Sequence, residues 1–579
     1  MAKHIVIVDK AKCNPAGCGG FLCMRVSPSN RAGKEAFYQD KDGKVGVNED
    51  LVTDIDRVAV NKCPYKALQL VGLPENLDKP PIHRYGKNGF SLFSLPTPLF
   101  GKVVGIIGKN GLGKSTAVNI LAGHLTPNFG REEATMNEKD LITYFKGTEA
   151  QNFFEKRARG EITVAYKPQQ VERIPKQFKG TPRELLTRVD ETKQLQHIAN
   201  TLELTPFLDR DINHISGGEL QRVAIAATAL RKANVYFFDE PTSYLDIKQR
   251  LKIATFIRSL ANENTAVMVV EHDLIILDAM TDLVHIMYGK EDAYGIVSNP
   301  RSSKAGINTY LSGYLREENI RFRQEKIFFE RQAPTKVQHK EQLITWPAIT
   351  KKLGDFTLQA SQGTLNRNDV VGILGENGIG KTSFVNAIAK AEEGNAEVAY
   401  KPQYLETNDS PVAHVLKDAL TNFKNQLINP LGLAPLLDKN LNELSGGQLQ
   451  RVHLAATLAK KADLYLLDEP ATYLDVEQRL IASKVIRDMM TLHGKASLIV
   501  DHDLLFIDYL CHKLIIFEGT PAKEGRATGP FEMEEGMNRF LKELGITFRR
   551  DEETNRPRAN KPGSLKDREQ KQTGKLYYT

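Results

Sequence analysis

GKNGLGKS, residues 108–115, follows the apolar run VVGII at 103–107. Glycines at these spacings let backbone N–H groups wrap a phosphate chain at a helix N-terminus. The lysine reaches the terminal phosphates, and the final hydroxyl ligates Mg²⁺. The apolar run has the length and composition of a buried parallel strand. Together these features predict a strand–loop–helix unit of an α/β fold that binds a nucleotide.

The chain contains this pattern twice, and four further motifs repeat with it in the same order. The second P-loop is GENGIGKT at 375–382. The other motifs are YKPQ at 166–169 and 400–403, SGGELQR at 216–222 and SGGQLQR at 445–451, FFDEPTSYLD at 237–246 and LLDEPATYLD at 466–475, and EHDL at 271–274 and DHDL at 501–504. The first copy is longer, mostly because of an insertion near residues 136–161. This repeat predicts two related nucleotide-binding domains.

In both copies an apolar strand ends in an Asp-Glu pair, and a histidine follows the next apolar run. The aspartate is suited to bind Mg²⁺, directly or through water, and the glutamate is placed to polarise the attacking water. We expect the repeated histidine to sense the γ-phosphate. These candidates are Asp239, Glu240 and His272 in the first copy and Asp468, Glu469 and His502 in the second.

Ser-Gly-Gly at the start of a helix offers a second anion-binding N-terminus in each copy. The pattern resembles the signature of the ATP-binding-cassette (ABC) superfamily, which closes over the nucleotide of the other cassette. The resemblance implies an intramolecular cassette dimer in a monomeric chain. Lys114 and Ser445 would face one ATP, and Lys381 and Ser216 the other. It also implies D-loop aspartates between the sites and Q-loop glutamines that touch Mg²⁺, namely Asp246 and Asp475, and Gln169 and Gln403.

The ABC resemblance implies a full set of ligands for two ATP molecules and their Mg²⁺ ions. The ATP-binding set is Gly108, Lys109, Asn110, Gly111, Gly113, Lys114, Ser115, Thr116, Gln169, Ser216, Gly217, Gly218, Gly375, Glu376, Asn377, Gly378, Gly380, Lys381, Thr382, Ser383, Gln403, Ser445, Gly446 and Gly447. The Mg²⁺ set is Ser115, Gln169, Asp239, Thr382, Gln403 and Asp468. Adenine normally stacks on an aromatic ring upstream of each P-loop, and the candidates are Tyr85 or Phe90 in the first cassette and Phe356 in the second.

Composition limits the class of protein. Of 579 residues, 41% are hydrophobic and 26% charged, which is typical of a globular protein with several domains. No uninterrupted apolar run approaches the ~18 residues needed to span a bilayer, so we expect a cytoplasmic protein without a membrane domain. The formal net charge of +7 is mild and permits an acidic partner.

The segments outside the cassettes resemble one family. They are a cysteine-rich N-terminus, HRYGKNGF at 83–90, the insertion, the basic stretch YLREENIRFRQEKIFFER at 314–331 and the ending GITFRRDEETNRPRANKPGS at 545–564. With these segments included, the resemblance covers essentially the whole chain. The sequence is similar to the ribosome-recycling ABC ATPases, the RNase L inhibitor family. The resemblance implies an α/β fold with two ABC-type P-loop nucleotide-binding domains plus a small N-terminal ferredoxin-like α+β iron–sulfur domain. The implied boundaries are 1–77 for the iron–sulfur domain, 78–313 for the first cassette with a helical insertion at about 136–161, 314–340 for a hinge, 341–540 for the second cassette and 541–579 for a C-terminal hinge or tail.

The implied activity is an ATPase, converting ATP and water to ADP and phosphate, coupled to conformational work. By this resemblance the protein splits ribosomes into subunits after termination or stalling, beside a peptide-release factor or a Pelota-like factor. It would then bind the small subunit through rRNA and proteins. The alternative function is a soluble twin-cassette ATPase coupled to another partner, either a separate membrane permease or a metal- or redox-sensing system.

The C-terminal tail, residues 549–579, carries nine Lys/Arg against five Asp/Glu. Its prolines and glycines are expected to break any regular helix. Such a basic segment is suited to contact rRNA phosphates. A solvated terminal face is the alternative.

Five cysteines in 579 residues exclude a disulfide scaffold, so the cluster CNPAGCGGFLC at 13–23 is expected to bind a metal. The family carries two ferredoxin-like cysteine runs and two [4Fe–4S] clusters. Here the first run has Ser27 at its fourth position. The second run, counted back from Cys63, has Thr53, Asp56 and Ala59 where cysteines are expected.

The four remaining cysteines of these runs match one complete ligand set, because in two-cluster ferredoxins the fourth cysteine of each run ligates the cluster of the other run. The resemblance therefore implies one [4Fe–4S] cluster and the absence of the second. A four-cysteine zinc site and a metal-free remnant stay as alternatives. The implied ligands are Cys13, Cys18, Cys23 and Cys63, and Cys511 is expected to be a buried structural thiol.

Overall fold

The computed structural model describes residues 4–72, 80–131, 138–329, 341–391, 397–403 and 405–577. Parts of the predicted segments lie outside this range. They are 1–3 and 73–77 of the N-terminal domain, 78–79 and 132–135 of the first cassette, 136–137 of the insertion, 330–340 of the hinge, 392–396 and 404 of the second cassette and 578–579 of the tail.

The N-terminal domain is a small α+β unit. Its elements are β1 (His4–Val8), α1 (Leu22–Val26), α2 (Pro28–Arg31), β2 (Phe37–Gln39), β3 (Val45–Val47), α3 (Arg57–Asn61) and β4 (Leu68–Gly72). Strand β1 pairs antiparallel with β4, and β2 pairs antiparallel with β3. Cys13 and Cys23 are buried in its core beside Phe37 and Leu70, so two cysteines belong to the packing of this domain.

The first cassette contains nineteen labelled elements within the described residues. They are β5 (His83–Arg84), β6 (Ser91–Leu92), β7 (Val103–Gly108), α4 (Lys114–Leu121), α5 (Glu138–Tyr144), α6 (Glu149–Ala158), β8 (Val164–Lys167), α7 (Ile174–Gln177), α8 (Pro182–Val189), α9 (Leu195–Thr201), α10 (Gly217–Ala229), β9 (Val235–Asp239), α11 (Ile247–Leu260), β10 (Ala266–Val270), α12 (Leu274–Met280), β11 (Leu283–Lys290), β12 (Tyr294–Val297), β13 (Arg301–Ser302) and α13 (Ser303–Ser312). Helices α5 and α6 form the described part of the insertion.

A short hairpin follows, β14 (Tyr314–Leu315) and β15 (Ile320–Arg321), and leads to the second cassette. The second cassette contains β16 (Gln342–Trp346), β17 (Ile349–Leu353), β18 (Phe356–Ala360), β19 (Gly363–Asn366), β20 (Val370–Leu374), α14 (Lys381–Ala391), β21 (Val398–Lys401), α15 (Val412–Val415), α16 (Lys417–Asn422), α17 (Gly446–Leu458), β22 (Leu464–Asp468), α18 (Val476–His493), β23 (Ala496–Val500), α19 (Leu504–Leu510), β24 (Lys513–Thr520), β25 (Glu524–Glu532) and α20 (Met533–Leu544).

The two cassettes share one sheet topology, which confirms the predicted α/β repeat. The strand order is β5-β6-β12-β11-β7-β10-β9-β8 in the first, with β13 beside β11, and β17-β18-β25-β24-β20-β23-β22-β21 in the second. In each, the five strands from β11 or β24 onward are parallel. All residues of β7 and β20 are buried, as expected for the centre of a doubly covered sheet. In each cassette the P-loop, the histidine motif and the Asp-Glu pair lie at the carboxyl ends of three adjacent parallel strands, in the order β7-β10-β9 and β20-β23-β22, so they converge at one edge of the sheet.

The C-terminal segment is folded, and the expectation that prolines and glycines break any regular helix there is wrong. It contains β26 (Phe548–Arg550), β27 (Pro557–Ala559) and α21 (Leu565–Thr573). Ser564 caps α21 by accepting the backbone N–H of Asp567, and Gly574 ends the helix, so the breakers lie outside it. Arg556 is fully buried and pairs with Asp278 of α12. Part of the basic charge of the tail is therefore neutralised within the protein.

Candidate ATP sites and cysteine site

Each P-loop curls around its own lysine. Gly113 has φ of 85°, a conformation that favours glycine, and α4 begins at the next residue. The Lys114 Nζ donates hydrogen bonds to the carbonyl oxygens of Gly108 and Lys109, at 2.9 and 2.7 Å. Lys381 makes the equivalent bonds in the second P-loop. Burial lowers the pKa of both lysines, to about 8 for Lys381.

A Mg²⁺ ion fits the residues beside the first P-loop. Asp239 is buried, and its Oδ2 has no hydrogen-bond partner among the described residues. Burial and the neighbouring Glu240 carboxylate raise the pKa of Asp239 to about 6, against the hydrogen bond from Ser115. In the second cassette the Thr382 hydroxyl donates to Asp468 Oδ2 at 3.0 Å. A carboxylate beside a hydroxyl is an oxygen donor set that suits Mg²⁺.

The candidate catalytic residues of the first cassette lie next to one another. Glu240 Oε1 accepts a hydrogen bond from Gln169 Nε2 at 2.8 Å and lies 3.5 Å from His272 Nε2. The Nδ1 of His272 is buried and has no hydrogen-bond partner among the described residues. Burial acts to raise the pKa of Glu240, but the hydrogen bond and charge of His272 outweigh it and lower that pKa.

The second cassette repeats this geometry with a different charge balance. Glu469 Oε1 accepts from Gln403 Nε2 at 2.7 Å and lies 3.8 Å from His502 Nε2. Burial and the Asp468 charge raise the pKa of Glu469. Burial also lowers the pKa of His502 well below its ordinary value. The two candidate bases therefore differ electrostatically although their sequence motifs match.

Four buried side chains, to which the sequence motifs assigned no role, donate hydrogen bonds to the backbone at the candidate catalytic glutamates. Lys167 Nζ donates to the carbonyl oxygens of Asp239 and Glu240, at 2.9 and 3.1 Å, and Gln221 Nε2 donates to the same Glu240 oxygen at 2.7 Å. Their counterparts in the second cassette are Lys401, which donates to the Asp468 carbonyl at 3.0 Å, and Gln450, which donates to the Glu469 carbonyl at 2.7 Å.

These donors hold an unfavourable backbone conformation. Glu240 and Glu469 both have φ of 46°, in the left-handed region that costs non-glycine residues of order 1–3 kcal/mol. Lys167 and Lys401 are fully buried, and burial lowers the pKa of each to about 8. The signal was in the sequence, because YKPQ and LQR repeat in both copies with a polar residue at the end of a buried strand or within a buried helix.

A cavity of about 890 Å³ lies between the cassettes. Lys114 of the first P-loop lines it together with Ser445, Gly446 and Gly447 of the second cassette. The structure thus brings together the pair that the signature resemblance implied. We call this composite site I, and the site of Lys381 with the signature of the first cassette site II.

The D-loop aspartates connect the two cassettes at both sites. Asp475 Oδ2 accepts the backbone N–H of Asn110 at 3.2 Å, and Asp246 Oδ2 accepts that of Asn377 at 3.1 Å. In site II, Ser216 caps α10, whose first residues Gly217 and Gly218 lie against Tyr244 of the D-loop. Each D-loop therefore lies between a signature helix of its own cassette and the P-loop of the other.

Of the candidates for adenine stacking, two pack against a P-loop glycine and the third is exposed. Phe90 and Phe356 pack against the last glycine of their P-loops, so close that a Cβ on Gly113 or Gly380 would lie 2.6 or 2.9 Å from the ring. Tyr85 is 47% exposed, and its hydroxyl lies 3.2 Å from Thr116 Oγ1. Of the three, Tyr85 is the ring exposed beside the P-loop helix.

The four cysteines of the N-terminal domain surround one cavity, with Phe21, Leu22, Tyr65 and Leu68 among its apolar walls. Burial raises the pKa of the Cys23 thiol to about 11, and Cys63, Cys13 and Cys18 act in the same direction. Within the described ranges, no three His, Cys, Asp or Glu side chains converge closely enough to form a metal-binding group. Four sulfur donors around an apolar cavity are the donor set of an iron–sulfur cluster or a zinc ion.

The other expected cysteine positions form a hydrogen-bonded polar cluster. Asp56 is fully buried, and its carboxylate accepts hydrogen bonds from the hydroxyls of Ser27 and Ser29, at 2.6 and 2.5 Å. The backbone N–H and hydroxyl of Thr53 donate to the same carboxylate at 3.0 and 3.2 Å. Burial alone would raise the pKa of Asp56, but these hydrogen bonds together outweigh burial and lower that pKa. With the buried Ala59, these residues leave no sulfur donor at this second position.

Comparison with known proteins gives one family-model match in each cassette and relatives that span nearly the whole chain. The family model described as ABC transporter matches residues 99–243 and 358–472. An uncharacterized ABC transporter ATP-binding protein of Methanocaldococcus jannaschii is 47% identical over 99% of this chain and 97% of its own length. Translation initiation factor RLI1 of Saccharomyces cerevisiae is 39% identical over 99% of this chain and 98% of its own length.

A solved structure titled as a model of ribosome-bound archaeal Pelota and ABCE1 matches with a TM-score of 0.93 and 49% identity. The match covers 100% of this chain and 99% of that one. In the part of the chain that the structure describes, no helix is both long and apolar enough to cross a bilayer. The N-terminal domain, both cassettes and the C-terminal segment are all included in these matches, and the chain belongs to the ABCE (RLI) family of twin-cassette ABC ATPases.

Proposed function

We propose that this chain is an ATP-driven recycling factor that splits ribosomes into subunits after termination or stalling and then stays on the small subunit. The observation that carries the proposal is the full-length similarity to a structure titled as ribosome-bound, with Pelota and ABCE1. Its partners would be a Pelota-like or peptide-release factor and the rRNA and proteins of the small subunit. Such a factor works in the cytoplasm.

At each site the residues divide the work of ATP hydrolysis. At site I, Lys114 and the P-loop N–H groups would hold the terminal phosphates, and Glu240 would accept a hydrogen bond from the attacking water. Mg²⁺, when bound by Ser115 and Asp239 with Gln169, neutralises phosphate charge. The N-terminus of α17 at Ser445 completes the site from the other cassette. Hydrolysis at site I therefore requires closed cassettes.

The contacts of the N-terminal domain with the first cassette explain how closure would reach the ribosome. Glu49 Oε1 accepts hydrogen bonds from Val6 N at 3.1 Å and Asn88 Nδ2 at 3.2 Å, and it pairs with Arg84. Asn88 also exchanges two hydrogen bonds of 3.1 Å with the backbone of Val47. Through these bonds a rotation of the cassette would carry the N-terminal domain against a factor bound beside it.

The cysteine site would hold one [4Fe–4S] cluster in a structural role. Cys13, Cys18, Cys23 and Cys63 line one apolar cavity, while the Asp56 cluster fills the positions of the other ligand set. A domain of this size has a small core, so a metal centre would supply much of its stability. A four-cysteine zinc site is the chemical alternative, and metal content decides between them.

The test is subunit splitting with purified components. Ribosomes stalled with a Pelota-like factor are incubated with the full-length protein and ATP and separated on sucrose gradients. We expect free subunits, with the protein on the small subunit when a non-hydrolysable ATP analogue is used. The matched control is Glu240→Gln/Glu469→Gln, which should bind but not turn over. Intact ribosomes after incubation with active ATPase would contradict the proposal.

A further inference from the structure

Two cross-cassette ion pairs occupy equivalent positions with opposite signs. At site I, Lys109 Nζ of the P-loop lies 3.0 and 2.9 Å from Glu477 Oε1 and Oε2 of the opposite cassette. At site II, Glu376 Oε1 of the P-loop lies 2.6 Å from Lys248 Nζ. Both P-loop residues directly follow the first glycine of their loop, and both partners stand two residues after a D-loop aspartate. The chain therefore contains an internal pair of charge-reversed contacts.

Only the site I pair has a third described member. Arg323, which follows β15 in the hairpin segment between the cassettes, donates from Nε to Glu477 Oε2 at 3.1 Å. Its side chain is 7% exposed, whereas Lys248 of the other pair is 58% exposed. Arg323 is further fixed by a hydrogen bond from Nη1 to the carbonyl of Leu311 at 3.2 Å and by packing 4.9 Å from the centre of the Tyr310 ring. Glu477 is thus shared between the segment that joins the cassettes and the P-loop of site I.

The position of Glu477 ties this contact to closure of site I. It lies in the first turn of α18, two residues after Asp475, whose carboxylate accepts the backbone N–H of Asn110 in the same P-loop. A shift of α18 that lengthened the Glu477 contact would therefore also withdraw the D-loop from the P-loop. A shared carboxylate in a partly buried position binds its two cations more strongly than an exposed pair does.

We propose that Glu477 is a positioning residue that connects the segment 314–329 to the P-loop of site I, so that movement of this segment and closure over the first ATP occur together. Site II lacks this connection among the described residues, since Lys248 has no partner in that segment. This inference rests on the assignment of the two ATP sites proposed above.

The first experiment measures each site separately in the full-length protein. Glu469→Gln leaves hydrolysis to site I, and Glu240→Gln leaves it to site II. In the Glu469→Gln background, Glu477→Gln should lower kcat by about fivefold or more, the lower end of typical couplings between sites, with little change in KM. In the Glu240→Gln background it should change kcat by less than about twofold. Lys248→Met, the matched control, should change site II turnover by less than about threefold, because exposed pairs contribute little.

A charge swap separates coupling from simple attraction between the cassettes. Lys109→Glu with Glu477→Lys reproduces at site I the arrangement found at site II, and Glu376 shows that a P-loop accepts glutamate at this position. The swap restores the cross-cassette pair but places an ammonium group against Arg323. We expect site I turnover to stay as low as in Glu477→Gln. Full recovery would overturn the proposal.

The Arg323→Gln variant tests the proposal independently. It should lower site I turnover as Glu477→Gln does, and the double variant should be no worse than either single one, because both remove the same connection. Additive losses, or equal losses at both sites, would overturn the proposal. Thermal unfolding midpoints within a few degrees of wild type establish that each variant is folded. Wild-type turnover in the Glu240→Gln and Glu469→Gln backgrounds would instead overturn the site assignment.

Discussion

The hydroxyl oxygens of Tyr244 and Tyr473 lie 2.9 Å apart, where the two D-loops meet between the cassettes. Both tyrosines have φ of 65°, and the Tyr244 hydroxyl also donates to Glu172 beside the Q-loop. Burial raises the pKa of both phenols, so they stay neutral donors at physiological pH. The pair therefore offers a direct contact between the two ATP sites.

Removing this contact should weaken communication between the sites without removing either site. Tyr473→Phe deletes one hydroxyl of the hydrogen bond, which is worth about 0.5–1.5 kcal/mol. We expect a lower Hill coefficient for ATP turnover while the ATP affinity of each site is kept. Tyr244→Phe should act similarly, and the double variant should add little. Independent, additive effects would show that the hydroxyls do not act on each other.

Lys167→Met should impair hydrolysis more than ATP binding. The variant leaves the carbonyl oxygens of Asp239 and Glu240 without their buried cation, a loss of about 1–3 kcal/mol in support for the strained Glu240 backbone. We expect kcat at site I to fall by about 10- to 100-fold. Lys401→Met is the matched variant for site II. A change in KM alone would indicate a role in binding instead.

The same lysine gives a pH dependence with a defined sign. Burial lowers the pKa of Lys167 from 10.5 to about 8, so between these values the unfolded chain binds more protons than the native state. Stability contributed by this group therefore rises as pH increases from about 8 to 10.5. In Lys167→Met the rise should be smaller, because the contribution of Lys167 is lost while that of Lys401, whose pKa is also lowered to about 8, remains. Thermal unfolding midpoints of the two proteins at pH 7.5 and 9.5 provide the comparison.

Glu240→Gln and Glu469→Gln should each preserve ATP binding and abolish hydrolysis at one site. Glutamine keeps the size of the side chain but cannot polarise water as a carboxylate does. The double variant should remain closed and bound to the small subunit with ATP, as detected by sedimentation. Unchanged turnover in the double variant would contradict the assignment of both residues as catalytic.

Sequence alone predicted what depends on local pattern. P-loops, Asp-Glu pairs and the twin α/β sheets follow from motifs whose physical roles are fixed by spacing. The roles of Lys167 and Gln221 were missed, because a polar residue at the end of a strand or inside a buried helix does not reveal which carbonyl oxygen it contacts. The Lys109–Glu477 contact joins residues far apart in the chain. It can be recognised only when the relative placement of the two cassettes is known. Helix α21 was missed because its N-cap, Ser564, comes directly after Pro562 and Gly563. The helix therefore begins after these two residues and is not broken by them.

The Asp56 cluster should be essential to the fold of the N-terminal domain. Asp56→Ala leaves the hydroxyls of Ser27 and Ser29 and the backbone N–H of Ser29 unpaired in a buried site, at a cost of about 1–3 kcal/mol for each unsatisfied group. We expect a lower unfolding midpoint for this domain with both cassettes still binding ATP. Arg57→Ala, at an exposed neighbouring position, is the control and should leave the midpoint unchanged.

The last prediction concerns metal content. Anaerobically purified protein should hold about four iron and four sulfide per chain, because one full set of four cysteines is present. Replacing Ser27, Thr53, Asp56 and Ala59 together by cysteine should raise both values to about eight, since these are the positions of the second ligand set. Cys63→Ser should remove the cluster although this residue lies far along the chain from Cys23, because both line one cavity. Zinc in place of iron would exclude the cluster. Two clusters in the unmodified protein would show that the Asp56 site still binds metal.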